Sequence, residues 1–180
     1  MALSDVYAYF RNYDKQTFAV FAQQGNEPSA REVAAFETRI GFRFPEEFRE
    51  FAVHQLGGLY MEVKEEFWPR AKAYDVGPFW SFLYGLYVYS LSSEAPEILQ
   101  MDEGYKSFAE ANGAGLVPFL KVLGNADPYC FTPEGGIVIW QHEDPDNPEP
   151  VDGSFSEVLM REIRALEERA QRKIRGEDRQ

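Results

Sequence analysis

Cysteine is almost missing. Cys130 is the only one in 180 residues, so no disulfide can form within the chain. Its neighbours Tyr129 and Phe131 are strand formers, a setting that favours a buried, inert thiol over a reactive one. Histidine is scarce too: His54 and His142 are the only two, and neither has the spacing of a metal ligand. Each reads as structural or solvent-facing. His54 falls near a helix end, where the dipole favours an imidazolium. No apolar run approaches the ~18 residues of a membrane span, and Met1-Ala2-Leu3-Ser4-Asp5 has no basic segment leading into an apolar stretch, so a cytoplasmic protein is expected. No phosphate-binding Gly-rich loop and no Gly-x-Ser-x-Gly elbow occur. Basic residues are outnumbered, with 18 Lys and Arg against 30 Asp and Glu and a net charge of -12. That balance argues against nucleic acid and against an anionic membrane as partner. These absences lead to an expectation of no enzyme activity, no cofactor and no metal.

What is present is a folded chain, 44% hydrophobic and 16% aromatic. Val6, Phe10 and Tyr13 predict a helix near 3–13. Ser29-Ala30-Arg31-Glu32 has the form of a capping box. The helix it opens carries Val33, Phe36 and Ile40 on one face and stops at Gly41. Pro45 suits the start of a further helix, ended by Gly57-Gly58, and Phe42, Phe44 and Phe48 are expected in the core. Then the period changes. Leu59, Met61 and Val63 alternate with polar partners, predicting a strand over 59–64, and others follow at 83–90, 117–123, 129–132 and 137–142. A helix is expected over 95–112, closed by Gly113 and Gly115, and loops over 65–79 and 143–153. Gly135-Gly136 fits a hairpin turn. Ser154 opens the last helix, whose stripe is Phe155, Val158, Leu159, Ile163 and Leu166. This order predicts an α+β fold: a single domain over 1–180, with a mostly antiparallel sheet of four to six strands and helices packed on one side. Its core is expected at about 29–165, with 166–180 as a helical extension. The last twenty residues carry 7 basic and 5 acidic side chains, unlike the acidic body.

Two surpluses stand out. Glu143, Asp144, Asp146, Glu149 and Asp152 crowd one segment with no basic residue among them. Oxygen ligands suit Ca²⁺, but Pro148 and the lack of a turn glycine break the spacing of a calcium loop. A solvated loop, or a docking surface for a basic protein, remains. Adjacent acids such as Glu46-Glu47 read as charges at a helix start. The second surplus is aromatic: Phe67, Trp68, Tyr74, Phe79, Trp80, Phe82, Tyr84, Tyr87 and Tyr89. Most belong in a core, but such a stretch also has the composition of an interface anchor. Trp80 and Tyr84 are the expected anchors, and Asp144, Asp146 and Glu149 the expected steering charges.

The segment Ile40-Gly41-Phe42-Arg43-Phe44-Pro45-Glu46-Glu47-Phe48, with Glu37 before it and Gly57-Gly58 after it, resembles the signature of the SMI1/KNR4 (SUKH) superfamily. Val117-Pro118-Phe119, Asn125–Phe131, Ile137–Glu143 and Ser154–Leu159 are similar to its later strands and closing helix, so the resemblance spans about 29–165. Leu56 stands where the family has Asn. The resemblance implies a non-enzymatic protein-binding domain. Many bacterial members are immunity proteins that neutralise a cognate toxin, often a nuclease, by stoichiometric binding, which would make this chain part of a toxin-antitoxin pair. The alternative is a regulatory protein-interaction module of the kind linked to cell-wall synthesis, with no toxin partner.

Overall fold

The computed structural model describes residues 2–72, 77–112 and 115–177. Tyr74, Gly113 and the end of the C-terminal extension lie outside the described residues. Among these residues there are five α-helices: α1 (Leu3–Asn12), α2 (Ala30–Ile40), α3 (Glu46–Ala52), α4 (Met101–Asn112) and α5 (Phe155–Ile174). One sheet contains β1 (Phe18–Phe21), β2 (Tyr60–Val63), β3 (Gly85–Val88), β4 (Val117–Val122), β5 (Tyr129–Phe131), β6 (Ile137–Ile139) and β7 (Glu149–Val151). The strands lie side by side in chain order, each antiparallel to its neighbours.

The fold is thus α+β, but the sheet has seven strands rather than four to six. The two extra strands are its edges. β1, Phe18-Ala19-Val20-Phe21, is apolar throughout and so shows no alternation. β7 is Glu149-Pro150-Val151, inside the segment expected to be a loop. Proline cannot donate to a ladder, so within a sheet it sits on an edge strand, as Pro150 does in β7, or at an irregularity, as Pro118 does in β4 where the register shifts before Leu120.

Local chemistry fixes the helix ends. Ser29 Oγ accepts from the Glu32 amide at 3.3 Å while the Glu32 carboxylate accepts from the Ser29 amide at 2.7 Å. Ser154 and Glu157 repeat the arrangement at the start of α5. Gly41 ends α2 with φ 67°, the left-handed conformation a side chain disfavours. α3 is shorter than expected and gives way to turns before Gly57. The helix expected from residue 95 starts only at Met101. Ser90 N–H donates to Leu99 O and Met101 N–H donates to Ser90 O, both at 2.7 Å. This tie to the end of β3 holds Gln100 extended, at φ -70° and ψ 124°.

The main core lies on the sheet face that carries Met61, Leu86, Phe119 and Phe131, covered by α1, α2, α3 and α5. Its centre is aromatic. Phe119 and Phe131 stack with centroids 4.0 Å apart, and Phe48 lies 5.0 Å from Phe131 and 5.2 Å from Phe155. Phe44 and Phe48 are buried as expected, whereas Phe42 is half-buried at the rim. Helices do not cover one side alone. α4 starts in the main core with Met101 and then lays Phe108 against Trp140, 5.3 Å between centroids, with Gly104 against Tyr89. Tyr89 and Trp140 alternate with core-facing neighbours and so belong to the opposite face.

Candidate protein-docking surface

The signature residues have structural duties. Glu37 Oε1 accepts from the Phe44 amide at 2.8 Å and lies 3.4 Å from Arg49 Nε, so it ties the link after α2 to the start of α3. Glu47 reaches across to α5, accepting from the Ser156 amide at 3.1 Å and from Ser156 Oγ at 2.6 Å. There it satisfies helix-start donors and faces the positive end of the dipole. Beyond α3, the buried Gln23 Nε2 donates to Ala52 O at 2.8 Å and His54 O at 3.1 Å, and Gln23 Oε1 accepts from Ser90 Oγ at 2.6 Å. This network explains the glycine pair. A Cβ on Gly57 would collide with Gln23 Nε2 and stand 2.6 Å from Ala52 O, and one on Gly58 would stand 2.5 Å from Ser90 Cβ.

Chain-order antiparallel pairing sends the β2–β3, β4–β5 and β6–β7 connections to one end of the sheet. The aromatic and acidic segments share that end. At the β2–β3 side, buried Trp68 donates its indole N–H to Ser81 O at 2.9 Å and so supports a 3₁₀ turn at Phe79–Phe82. On that support Phe79 is 56% and Trp80 48% exposed. Tyr84 is half-buried, because the Arg70 guanidinium lies 3.7 Å over its ring. Arg70 is held in turn by Trp68 O and Val63 O, both at 2.6 Å, and by Glu62 at 3.1 Å.

On the β6–β7 side, Asp144, Asp146 and Glu149 are all exposed. Asp144 accepts from Asn147 Nδ2 at 2.9 Å and Glu149 from Gln141 Nε2 at 3.1 Å. Between the two sides, Gly124 of the β4–β5 connection abuts Phe82, and Asp127 accepts from both the amide of His142 at 2.9 Å and its Nδ1 at 2.7 Å. The hydrogen bond to Asp127 raises the His142 pKa above its ordinary value. Burial pushes Asp127 upward, but the two bonds from His142 outweigh it and hold the carboxyl low.

All five residues expected at a site therefore lie at one end of the sheet, with Trp80 open, Tyr84 partly covered, and β4 and β5 between them and the acids. Sequence reasoning missed three components. Phe79 is as exposed as Trp80, and the preceding Gly77-Pro78 was the signal for a turn that could present it. The Asp127–His142 pair joins residues fifteen apart, with no motif to mark it. The basic end of α5 also arrives here: Lys173 Nζ lies 5.6 Å from the Trp68 ring and Arg169 Nε donates to Leu83 O. The aromatic side is thus bordered by cations and the far side by carboxylates.

His54 stacks on Tyr7 at 3.9 Å, and burial lowers its pKa, contrary to the expected imidazolium. Cys130 is buried, which pushes its thiol up to about 12. Among the described residues no group of three or more His, Cys, Asp or Glu could hold a metal ion, and no helix is long and apolar enough to cross a membrane. No curated protein and no solved structure matches the chain. A family model does, over residues 27–161, which include Glu37, the Gly41–Pro45 link, Gly57-Gly58 and the start of α5: the chain belongs to the SMI1/KNR4 family (SUKH-1).

Proposed function

We propose that this chain is an immunity-type protein that neutralises a cognate toxin domain, of a basic and nuclease-like kind, by stoichiometric binding. SMI1/KNR4 domains are generally non-enzymatic binding domains, which supports the class. The observation that carries the finer reading is the shared sheet end, where an open aromatic pair, Phe79 and Trp80, and a carboxylate cluster occupy the first and third of its three connections. Buried aromatic anchors set dissociation, whereas exposed carboxylates raise the association rate with a cationic partner. A basic nuclease offers the charge such a rim attracts.

The test is a pulldown with toxin domains encoded beside the gene, followed by association kinetics at two salt concentrations. Asp144→Asn, Asp146→Asn and Glu149→Gln together should slow association at low salt. The defect should shrink as salt rises, because exposed charges are screened over about 8 Å at physiological ionic strength. Trp80→Ala should instead speed dissociation. Unchanged association in the triple variant would remove the acidic connection from the mechanism. Failure to bind any neighbouring toxin would turn the assignment to a regulatory protein-interaction module.

A further inference from the structure

The two edges of the sheet are built differently. β7 is blocked as edge strands usually are, by Pro150 and by the flanking acids Glu149 and Asp152. β1, Phe18-Ala19-Val20-Phe21, has neither proline nor charge, and it pairs with β2 alone. Its polarity follows from the ladder. Lys64 N–H donates to Thr17 O at 2.9 Å, and on the other side of β2 Val63 N–H donates to Tyr84 O at 2.8 Å. Hydrogen-bonded pairs alternate along an antiparallel ladder, so Ala19 and Phe21 bond to β2 and Val20 turns both its N–H and its C=O outward. Phe18 C=O also points out, while the Phe18 amide is taken by Asp14 O at 3.0 Å.

Beside this edge runs a groove of about 500 Å³ between β1, α1 and the turn after α3, with Tyr7, Arg11, Lys15, Val20, Phe21 and His54 in its wall. The Tyr7 hydroxyl is buried there without a hydrogen-bond partner. Among the described residues no Asp or Glu lines the groove, in a chain that has 30 acids. Glu27 and Glu50 come near enough to act on His54 but stand outside the lining. Neither Arg11 nor Lys15 has a carboxylate partner among the described residues.

We infer that the outer edge of β1 is a strand-addition site for an extended, acidic segment of another protein. Its backbone pairs with Val20, and alternate side chains enter the groove, where carboxylates meet Arg11 and Lys15. A second copy of β1 fits less well, because it brings no carboxylate to those cations. This site lies at the sheet edge remote from β7, and it does not depend on the toxin reading.

The experiment uses the isotope-labelled full chain and two nine-residue synthetic peptides, one alternating Glu with Val and one alternating Lys with Val. Binding is followed by fluorescence anisotropy and by exchange of the Val20 amide. The Glu peptide should bind at least tenfold tighter than the Lys peptide and slow Val20 exchange. Val20→Pro should weaken it at least tenfold while the fold persists, since the Val20 N–H makes no bond to β2. Arg11→Glu with Lys15→Glu, both outside the sheet, should reverse the preference, and this pair decides the matter if Val20→Pro fails to fold. Equal binding of both peptides, no protection at Val20, or dimerisation of the chain that protects Val20 by itself would each overturn the proposal.

Discussion

Removing the Glu37 carboxylate tests whether the family acid is a scaffold or a contact. It accepts from the Phe44 amide at 2.8 Å, on a residue only 2% exposed. Hydrogen bonds to charged groups contribute about 1.5–3 kcal/mol, and an amide left buried and unpaired costs about 1–3 kcal/mol. The ion pair with Arg49 is looser, at 3.4 Å with side chains 25% and 11% exposed; discounted for screening, it adds at most about 1 kcal/mol. Glu37→Ala should therefore destabilise by about 2–4 kcal/mol. Glu37→Gln keeps an oxygen for the amide and loses only charge, so its cost should be about 1 kcal/mol. Urea unfolding reads both as shifts in midpoint at constant slope. For a chain of this size each kcal/mol corresponds to about 2–4 °C in Tm. Values within about 0.5 kcal/mol of the parent for both variants would refute the reasoning. Partner binding lost at unchanged stability would make Glu37 a contact residue instead.

Phe44→Ala, which opens a void beside Phe36, Phe48 and Phe131, should cost about 3–5 kcal/mol in chemical denaturation; a loss below about 1 kcal/mol would show that the signature link is not core. Cys130, with its thiol pushed up to about 12 by burial, should resist a disulfide-exchange reagent at pH 8 in the folded protein and react once unfolded; rapid labelling of the native chain would contradict this. His142 should titrate above its ordinary value in an NMR pH series, and Asp127→Asn should return it to the normal range. The sign follows from a raised folded pKa: the stabilising contact is complete below the unfolded value of about 6.5 and is lost as pH rises through the folded one. A His142 titration unmoved by Asp127→Asn would show that the carboxylate is not its cause.

Most of the fold was legible because its signals are local. Ser29 and Ser154 announce their helices by capping boxes, and Met61 and Val63 announce β2 by period two. What escaped depends on pairing. β7 is a strand because Ile137 and Ile139 lie opposite Val151 and Glu149, a relation that Glu149-Pro150-Val151 cannot express alone. The break before α4 has the same origin, since the Ser90 tie overrides a helical pattern that does run through Ile98. Candidate site residues were named by composition, which identifies surplus aromatics and acids but not their cover. Nothing in the sequence places Arg70 on Tyr84, or seats Phe79 and Trp80 in a turn resting on Trp68.

The strand order has a consequence for binding. Since β1 and β7 are the two ends of a seven-stranded sheet, six strand spacings put them on the order of 30 Å apart. That is several screening lengths at physiological salt, so carboxylates at Asp144, Asp146 and Glu149 do little to repel an acidic segment beside Val20. A basic partner on the acidic connection would likewise leave Arg11 and Lys15 uncovered. Coupling between the sites would then require a two-state element linking them. The Gln23–Ser90 network and the close approach at Gly57-Gly58 fasten the turn after α3 to β3, and Glu47 fastens α3 to α5. Partners at the two sites should bind additively, and the family signature serves to hold that frame rigid.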